Sequence, residues 1–356
     1  MASVARGCRY NRVLPILAYT KKTLRRLFFS INNCMKYCRE PFIHSEINPK
    51  GDIRLCCGSW HPKIVGNIHQ SPLEEIWTNK ESQKVRESIN DQSYKYCKLE
   101  ICPQPFQSTP INVHTRLPKV LKFSFDNSCN LECPSCRSSK IQHVKGSKEY
   151  NESMSILNKV KESYYKFGVD QPTVFIITGS GDPFGSDVFR NFLYDFDGGK
   201  VPNLKFVFLT NGVMLTPKVI NKISKIYNNI KQMNISIDSA TPDTYNVVRK
   251  GGNFTQLQKN IEYLHNFKQF NHVKFCYSFV IQNTNFAEIE PFVEWILTYP
   301  RASVRFTRIL NWSDMAIDFN KENIFSPDHP NYTKLQETLA KIKHIPNIDF
   351  HNVLSK

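Results

Sequence analysis

Val120-Leu121-Lys122-Phe123-Ser124-Phe125 runs without a break into Asp126-Asn127-Ser128-Cys129-Asn130-Leu131-Glu132-Cys133-Pro134-Ser135-Cys136. The first part alternates apolar and polar side chains, the period-2 pattern of a strand. The second part is polar, carries proline, and places three cysteines on a loop with C-x3-C-x2-C spacing. Further apolar, β-rich runs follow at Val174–Ile177, Phe206–Leu209, Met233–Ile237, Val273–Ile281 and Val304–Ile309. Helical periodicity separates them at Ser153–Phe167, Pro217–Tyr227, Phe254–Phe267 and Glu288–Leu297. Gly168 is placed to stop the first of these helices, and Thr216-Pro217 to start the second. Strands that alternate with helices form a parallel sheet, doubly wound or curled into a barrel, with ligands at the strands' carboxyl ends. The cysteine loop lies at such an end.

Strand parity also predicts the inside of the barrel. Leu121, Phe123 and Phe125 alternate with Lys122, Ser124 and Asp126; Phe275, Tyr277 and Phe279 alternate with Lys274, Cys276 and Ser278; Val304 and Phe306 alternate with Arg305 and Thr307. The apolar set must meet the outer helices, which leaves the polar set facing the lumen. We expect an incomplete, wet and basic barrel in which Arg305, with Lys274 as a second candidate, faces an anionic group of the substrate.

The whole chain has 356 residues, 40% hydrophobic and 22% charged, which excludes disordered, collagen-like and disulfide-knot classes. No apolar run reaches the roughly 18 residues of a membrane span. A formal net charge of +16 points to anionic partners or a basic solvated surface. Residues 1–33 hold seven Arg or Lys and no acid, a pattern shared by transit peptides, by membrane-surface helices and by helices that dock on their own protein.

Ten of the eleven cysteines precede residue 137. An odd count without a secretory signal argues for a reducing, cytoplasmic setting in which clustered thiols hold metal. Three thiolates do not close a structural zinc site, which takes four ligands. They suit a four-iron cluster whose fourth iron stays open for a small ligand. Residues 34–115 form a second cysteine group around a hairpin, Ile43–Ile47 and Asp52–Leu55, with helical segments at Leu73–Trp77 and Val85–Ile89. Its apolar content is thin, so metal is expected to stabilise it. Pro103–Pro118 reads as a linker, and residues 116–356 as the barrel with a C-terminal extension.

These motifs resemble those of the radical S-adenosylmethionine (SAM) superfamily. The resemblance implies that Cys129, Cys133 and Cys136 hold a [4Fe–4S] cluster that binds SAM. Thr178-Gly179-Ser180-Gly181-Asp182-Pro183 is similar to the family's Gly-Gly-Glu-Pro loop. There Gly181 would let the backbone approach the ligand, and Asp182 would accept from the SAM ammonium. Leu209-Thr210-Asn211-Gly212 resembles another family turn. Ser236 would reach the SAM ribose and Arg249 the SAM carboxylate. Ser135 departs from the aromatic residue often found before the third cysteine, and Val280-Ile281-Gln282-Asn283 only loosely matches the adenine motif.

Cys38, the segment Gly51-Asp52-Ile53-Arg54-Leu55-Cys56, Leu73-Glu74-Glu75-Ile76-Trp77, Cys97 and Cys102 resemble the auxiliary-cluster extension called SPASM or twitch, here placed before the barrel. The resemblance implies a second [4Fe–4S] cluster on Cys38, Cys56, Cys97 and Cys102, with Cys57 replacing Cys56 if the hairpin register slips. Structural zinc on the same sulfurs, and a cluster with an open iron, stay open at this point. Cys8, Cys34 and Cys276 read as bystanders.

The implied fold is α/β, a partial (β/α)6 radical SAM barrel preceded by a small Cys-rich α+β domain. The implied activity is reductive SAM cleavage to a 5′-deoxyadenosyl radical and hydrogen abstraction from an unidentified substrate, with an electron donor such as flavodoxin or ferredoxin. A metal-stapled nucleic-acid-binding protein and a catalytically silent SAM/Fe–S scaffold are the competing classes. The first leaves the cysteine triad at a strand end unexplained, so nucleic acid is not the expected partner.

Overall fold

The structure is a computed structural model that describes residues 37–100, 102, 106–107, 109, 112–113, 115–178, 180–311 and 314–353. The expectations for residues 1–33, Cys8, Cys34 and Gly179 fall outside these residues.

Ten strands form one sheet: β1 (His44–Ile47), β2 (Asp52–Arg54), β3 (Gly66–Asn67), β4 (Val120–Phe123), β5 (Thr173–Ile177), β6 (Leu204–Thr210), β7 (Ile230–Ser236), β8 (Lys274–Ile281), β9 (Ala302–Arg308) and β10 (Ile348–Asp349). Their order is β10-β9-β8-β7-β6-β5-β4-β1-β2-β3. From β4 to β9 neighbouring strands pair in parallel, the six-stranded partial barrel. The N-terminal hairpin is antiparallel within itself, yet β1 pairs in parallel with β4, matching His44 with Val120 and Ile47 with Phe123. The cysteine-rich module therefore extends the barrel's sheet. Every residue of β1 is buried, as expected of a strand covered on both faces.

The helices are α1 (Glu40–Ile43), α2 (Leu73–Thr78), α3 (Lys80–Asn90), α4 (Lys148–Phe167), α5 (Asp187–Asp195), α6 (Pro217–Lys222), α7 (Pro242–Val248), α8 (Phe254–Asn266), α9 (Ile289–Leu297), α10 (Phe319–Glu322) and α11 (Tyr332–Ile342). Helix α4 starts earlier than its apolar periodicity suggests, because Ser147 caps it by accepting from the Tyr150 amide. Helix α6 is capped by Thr216 and stops at Lys222, where a 3-10 stretch, Ser224–Asn229, takes over. No helix among the described residues is long and apolar enough to cross a membrane.

The apolar strand faces meet the helices as parity predicts. Phe123 and Phe125 pack on Phe189 of α5, and Phe279 and Phe306 on Phe292 of α9. The basic lumen needs correction. Lys122 lies 3.2 Å from Glu46 of β1, and Arg305 Nε lies 2.8 Å from Asp349 of β10. Burial alone would raise the Glu46 pKa, but the Lys122 ammonium and the Ser124 and Gly58 hydrogen bonds outweigh it and hold the carboxyl below its ordinary range. Each counter-ion comes from a strand added outside the six. Lys274 is exposed at the amino end of β8.

Candidate functional site

The cysteine loop leaves β4 through Asp126, a buried carboxylate that accepts from the Ser128 amide at 2.8 Å and the Ser186 hydroxyl at 2.6 Å. The Cys129 amide donates to the Ile141 carbonyl at 2.9 Å, while the Cys136 and Arg137 amides donate to the Cys133 carbonyl at 2.9 and 3.1 Å. Cys133 is buried, Cys129 half-buried and Cys136 exposed. Burial pushes the Cys129 thiol up to about 11 and raises the Cys133 thiol. Both are protonated at neutral pH until a metal claims them, since a coordinating thiol is deprotonated.

Three neighbouring segments close around the loop. Asn211, after β6, donates to Asn130 at 2.9 Å and approaches the Cys129 sulfur at 3.8 Å. The turn after α7 docks from another side, where the Glu132 amide donates to the Lys250 carbonyl at 3.0 Å and Lys250 pairs with Glu132 at 2.7 Å. Arg249 places one Nη 3.7 Å from the Cys133 sulfur and the other 2.7 Å from Asp238. Burial raises the Asp238 carboxyl while the guanidinium opposes that rise. Ser236 ends β7, half-buried, in register with Ser278.

Two of the predicted residues also hold the protein's own loops together. Asp182 is buried and already accepts four hydrogen bonds: Phe184 and Gly185 amides on Oδ1, the Thr210 hydroxyl and Asn211 amide on Oδ2. Burial raises its pKa, while these donors favour the ionised form. Its lone pairs join the loops after β5 and β6. Gly181 lets its backbone approach the cysteine loop: a Cβ there would sit 2.5 Å from the Ser128 carbonyl and 2.8 Å from that of Asp126. Gly181→Ala is thus expected to cost about 1–3 kcal/mol through overpacking against backbone. A lowered urea midpoint measures the cost, and an unchanged one contradicts it.

Sequence reasoning missed Arg137, which donates to the Asn127 carbonyl at 2.8 Å and the Ser180 carbonyl at 2.6 Å, and lies 3.6 Å from the Cys136 sulfur. It ties the cysteine loop to the loop after β5. Its place next to the third cysteine was the available signal.

In the N-terminal module one cavity is lined by Cys38, Cys56, Cys97 and Cys102. Cys57 is outside that lining and half-buried. Burial pushes Cys38 up to about 11, Cys97 up to about 12 and Cys56 higher still. Among the described residues no three His, Cys, Asp or Glu side chains converge as one metal ion requires. A tetrahedral zinc with ligands at about 2.3 Å would hold its sulfurs about 3.8 Å apart. A [4Fe–4S] cluster would place each of the four thiolates on a different iron.

Two family models match the chain. Residues 38–103 match an iron–sulfur cluster-binding domain, SPASM, and residues 123–296 match the radical SAM superfamily. The chain belongs to the radical SAM superfamily. Its SPASM segment precedes the radical SAM segment. Membership brings a SAM-binding [4Fe–4S] cluster and SAM as cofactors, and the SPASM match adds a further iron–sulfur site.

Curated relatives of this radical SAM chain include an AdoMet-dependent heme synthase of Methanosarcina barkeri, 27% identical over 42% of this chain and 40% of that protein. A GTP 3′,8-cyclase of Clostridium botulinum is 26% identical over 56% of this chain and 59% of that protein. The chain thus spans roughly half the length of these relatives. Among solved structures, Streptococcus suis SuiB overlaps 78% of this chain and 57% of its own, with a TM-score of 0.44 and 13% identity.

Proposed function

We propose that this protein is a radical SAM enzyme that reductively cleaves SAM and abstracts hydrogen from a peptide, carbohydrate or small-molecule substrate, with oxidation or cross-linking as the outcome. The observation that carries the reading is the C-x3-C-x2-C loop at the carboxyl ends of parallel strands, gripped by Asn211, Arg137 and Arg249. Cys129, Cys133 and Cys136 would hold the [4Fe–4S] cluster that, when reduced, would supply the electron for SAM cleavage.

The chain's own part is to bind, orient and exclude water. We assign Arg249 Nε, buried and without a partner among the described residues, to the SAM carboxylate. Ser236 and Asn211 complete the SAM wall, while Asp182 and Gly181 hold that wall in shape. Any substrate anion at Arg305 must compete with Asp349. Cys38, Cys56, Cys97 and Cys102 would hold a second [4Fe–4S] cluster, which would supply an acceptor for an electron from the substrate. A flavodoxin or ferredoxin in a reducing cytoplasm supplies the first electron. Deoxyadenosine formed from SAM by the anaerobically reconstituted, dithionite-reduced protein tests the reading; iron-loaded protein that consumes no SAM would refute it.

A further inference from the structure

His61 is 1% exposed, and neither ring nitrogen has a partner among the described residues. Its backbone is pinned, with the His61 amide donating to the Cys57 carbonyl at 2.9 Å and the Trp60 amide to the same carbonyl at 3.1 Å. That turn buries the imidazole in the wall of the cavity lined by Cys38, Cys56, Cys97 and Cys102. The rest of that wall is proline, leucine and aromatic side chains.

A buried polar atom left unpaired is costly, and native interiors seldom tolerate it. An imidazole offers at least one N–H in either charge state and either tautomer. Besides the Tyr94 hydroxyl and the Trp60 indole, the polar groups on the residues lining this cavity are the four cysteine sulfurs, and the His61 ring is bonded to none of them. Four thiolates already complete the ligand set of a [4Fe–4S] cluster, so a fifth group is not needed on iron.

We propose that His61 donates an N–H hydrogen bond to a sulfur of the auxiliary cluster and thereby raises its reduction potential. The inference rests on the assignment of that cluster to the four cysteines. Hydrogen bonds to cluster sulfurs are among the levers that set these potentials. An N–H aimed at sulfur stabilises the reduced, more negative cluster over the oxidised one. No bond forms or breaks at His61. The electron it favours leaves the substrate and reduces the oxidised auxiliary cluster by one.

The test uses the full chain carrying Cys129→Ala, Cys133→Ala and Cys136→Ala, so that one cluster remains to be titrated by EPR. His61→Leu should move the midpoint to a more negative potential with iron content unchanged, and His61→Gln, which keeps an N–H donor, should recover most of the shift. Pulsed EPR of the parent should show the weak nitrogen coupling of a hydrogen-bonded imidazole, a readout that does not depend on any His61 variant folding. An unchanged midpoint in His61→Leu, no nitrogen coupling in the parent, or a strong coupling from an iron-bound nitrogen would each overturn the proposal. A parent without iron would instead remove the cluster assignment beneath it.

Discussion

Arg249→Met is expected to destabilise the protein by about 3–5 kcal/mol, because it strands a buried carboxylate. The Asp238 side chain is 3% exposed and keeps only the Val280 amide, at 2.7 Å, as a donor among the described residues once the guanidinium 2.7 Å away is gone. Burial then acts on Asp238 against the Val280 hydrogen bond alone and raises its pKa further above the unfolded value. The sign follows from linkage: a raised folded-state pKa favours folding below the unfolded pKa, and that support is lost as pH rises through the folded pKa. The penalty of Arg249→Met should therefore shrink as pH falls toward the acidic range. Adding Asp238→Asn should recover part of the loss, since it removes the unpaired charge. Urea midpoints at two pH values measure both effects. A pH-independent penalty, or a double variant no more stable than the single one, would contradict the ion-pair account.

Asp182→Ala is the second large effect, expected at about 3–5 kcal/mol. It removes the acceptor of four hydrogen bonds at once and leaves the Thr210 hydroxyl and the Phe184, Gly185 and Asn211 amides facing a buried void. Asn211 also loses the anchor that sets its side chain beside Cys129. Asp182→Asn keeps one carbonyl acceptor and turns an NH2 toward donors, so an intermediate loss is expected. If Asp182→Ala unfolds at the parent's urea midpoint, the carboxylate does not organise these loops.

The six barrel strands were legible as apolar, β-rich runs, with apolar–polar alternation in β4, in most of β8 and in β9, and the cysteine loop because its spacing is local. The flanking strands were harder to see. Residues His44–Ile47 read as one arm of a hairpin, yet their second partner is β4, far along the chain. Strand β10 has two residues, too few to leave a period. Both hidden strands bring carboxylates, Glu46 and Asp349, and so the lumen read as basic when its cations are paired. Motif resemblance brought Asp182 to the right loop, but its turn-forming hydrogen bonds depend on how the loops after β5 and β6 meet. Cys56 and Cys57 differ by one residue, and only the hairpin register Ile47 with Ile53 and Glu46 with Arg54 sends the first into the cavity. His61 left no signal in the sequence.

The central claim is that Cys129, Cys133 and Cys136 carry the SAM-cleaving cluster, separate from a second one. The most direct measurement is iron content together with deoxyadenosine formation in the anaerobically reconstituted variant lacking all three of these sulfurs. The account predicts that roughly half the iron remains, if both clusters hold four irons, and that no deoxyadenosine forms. A triple variant that still makes deoxyadenosine would contradict it.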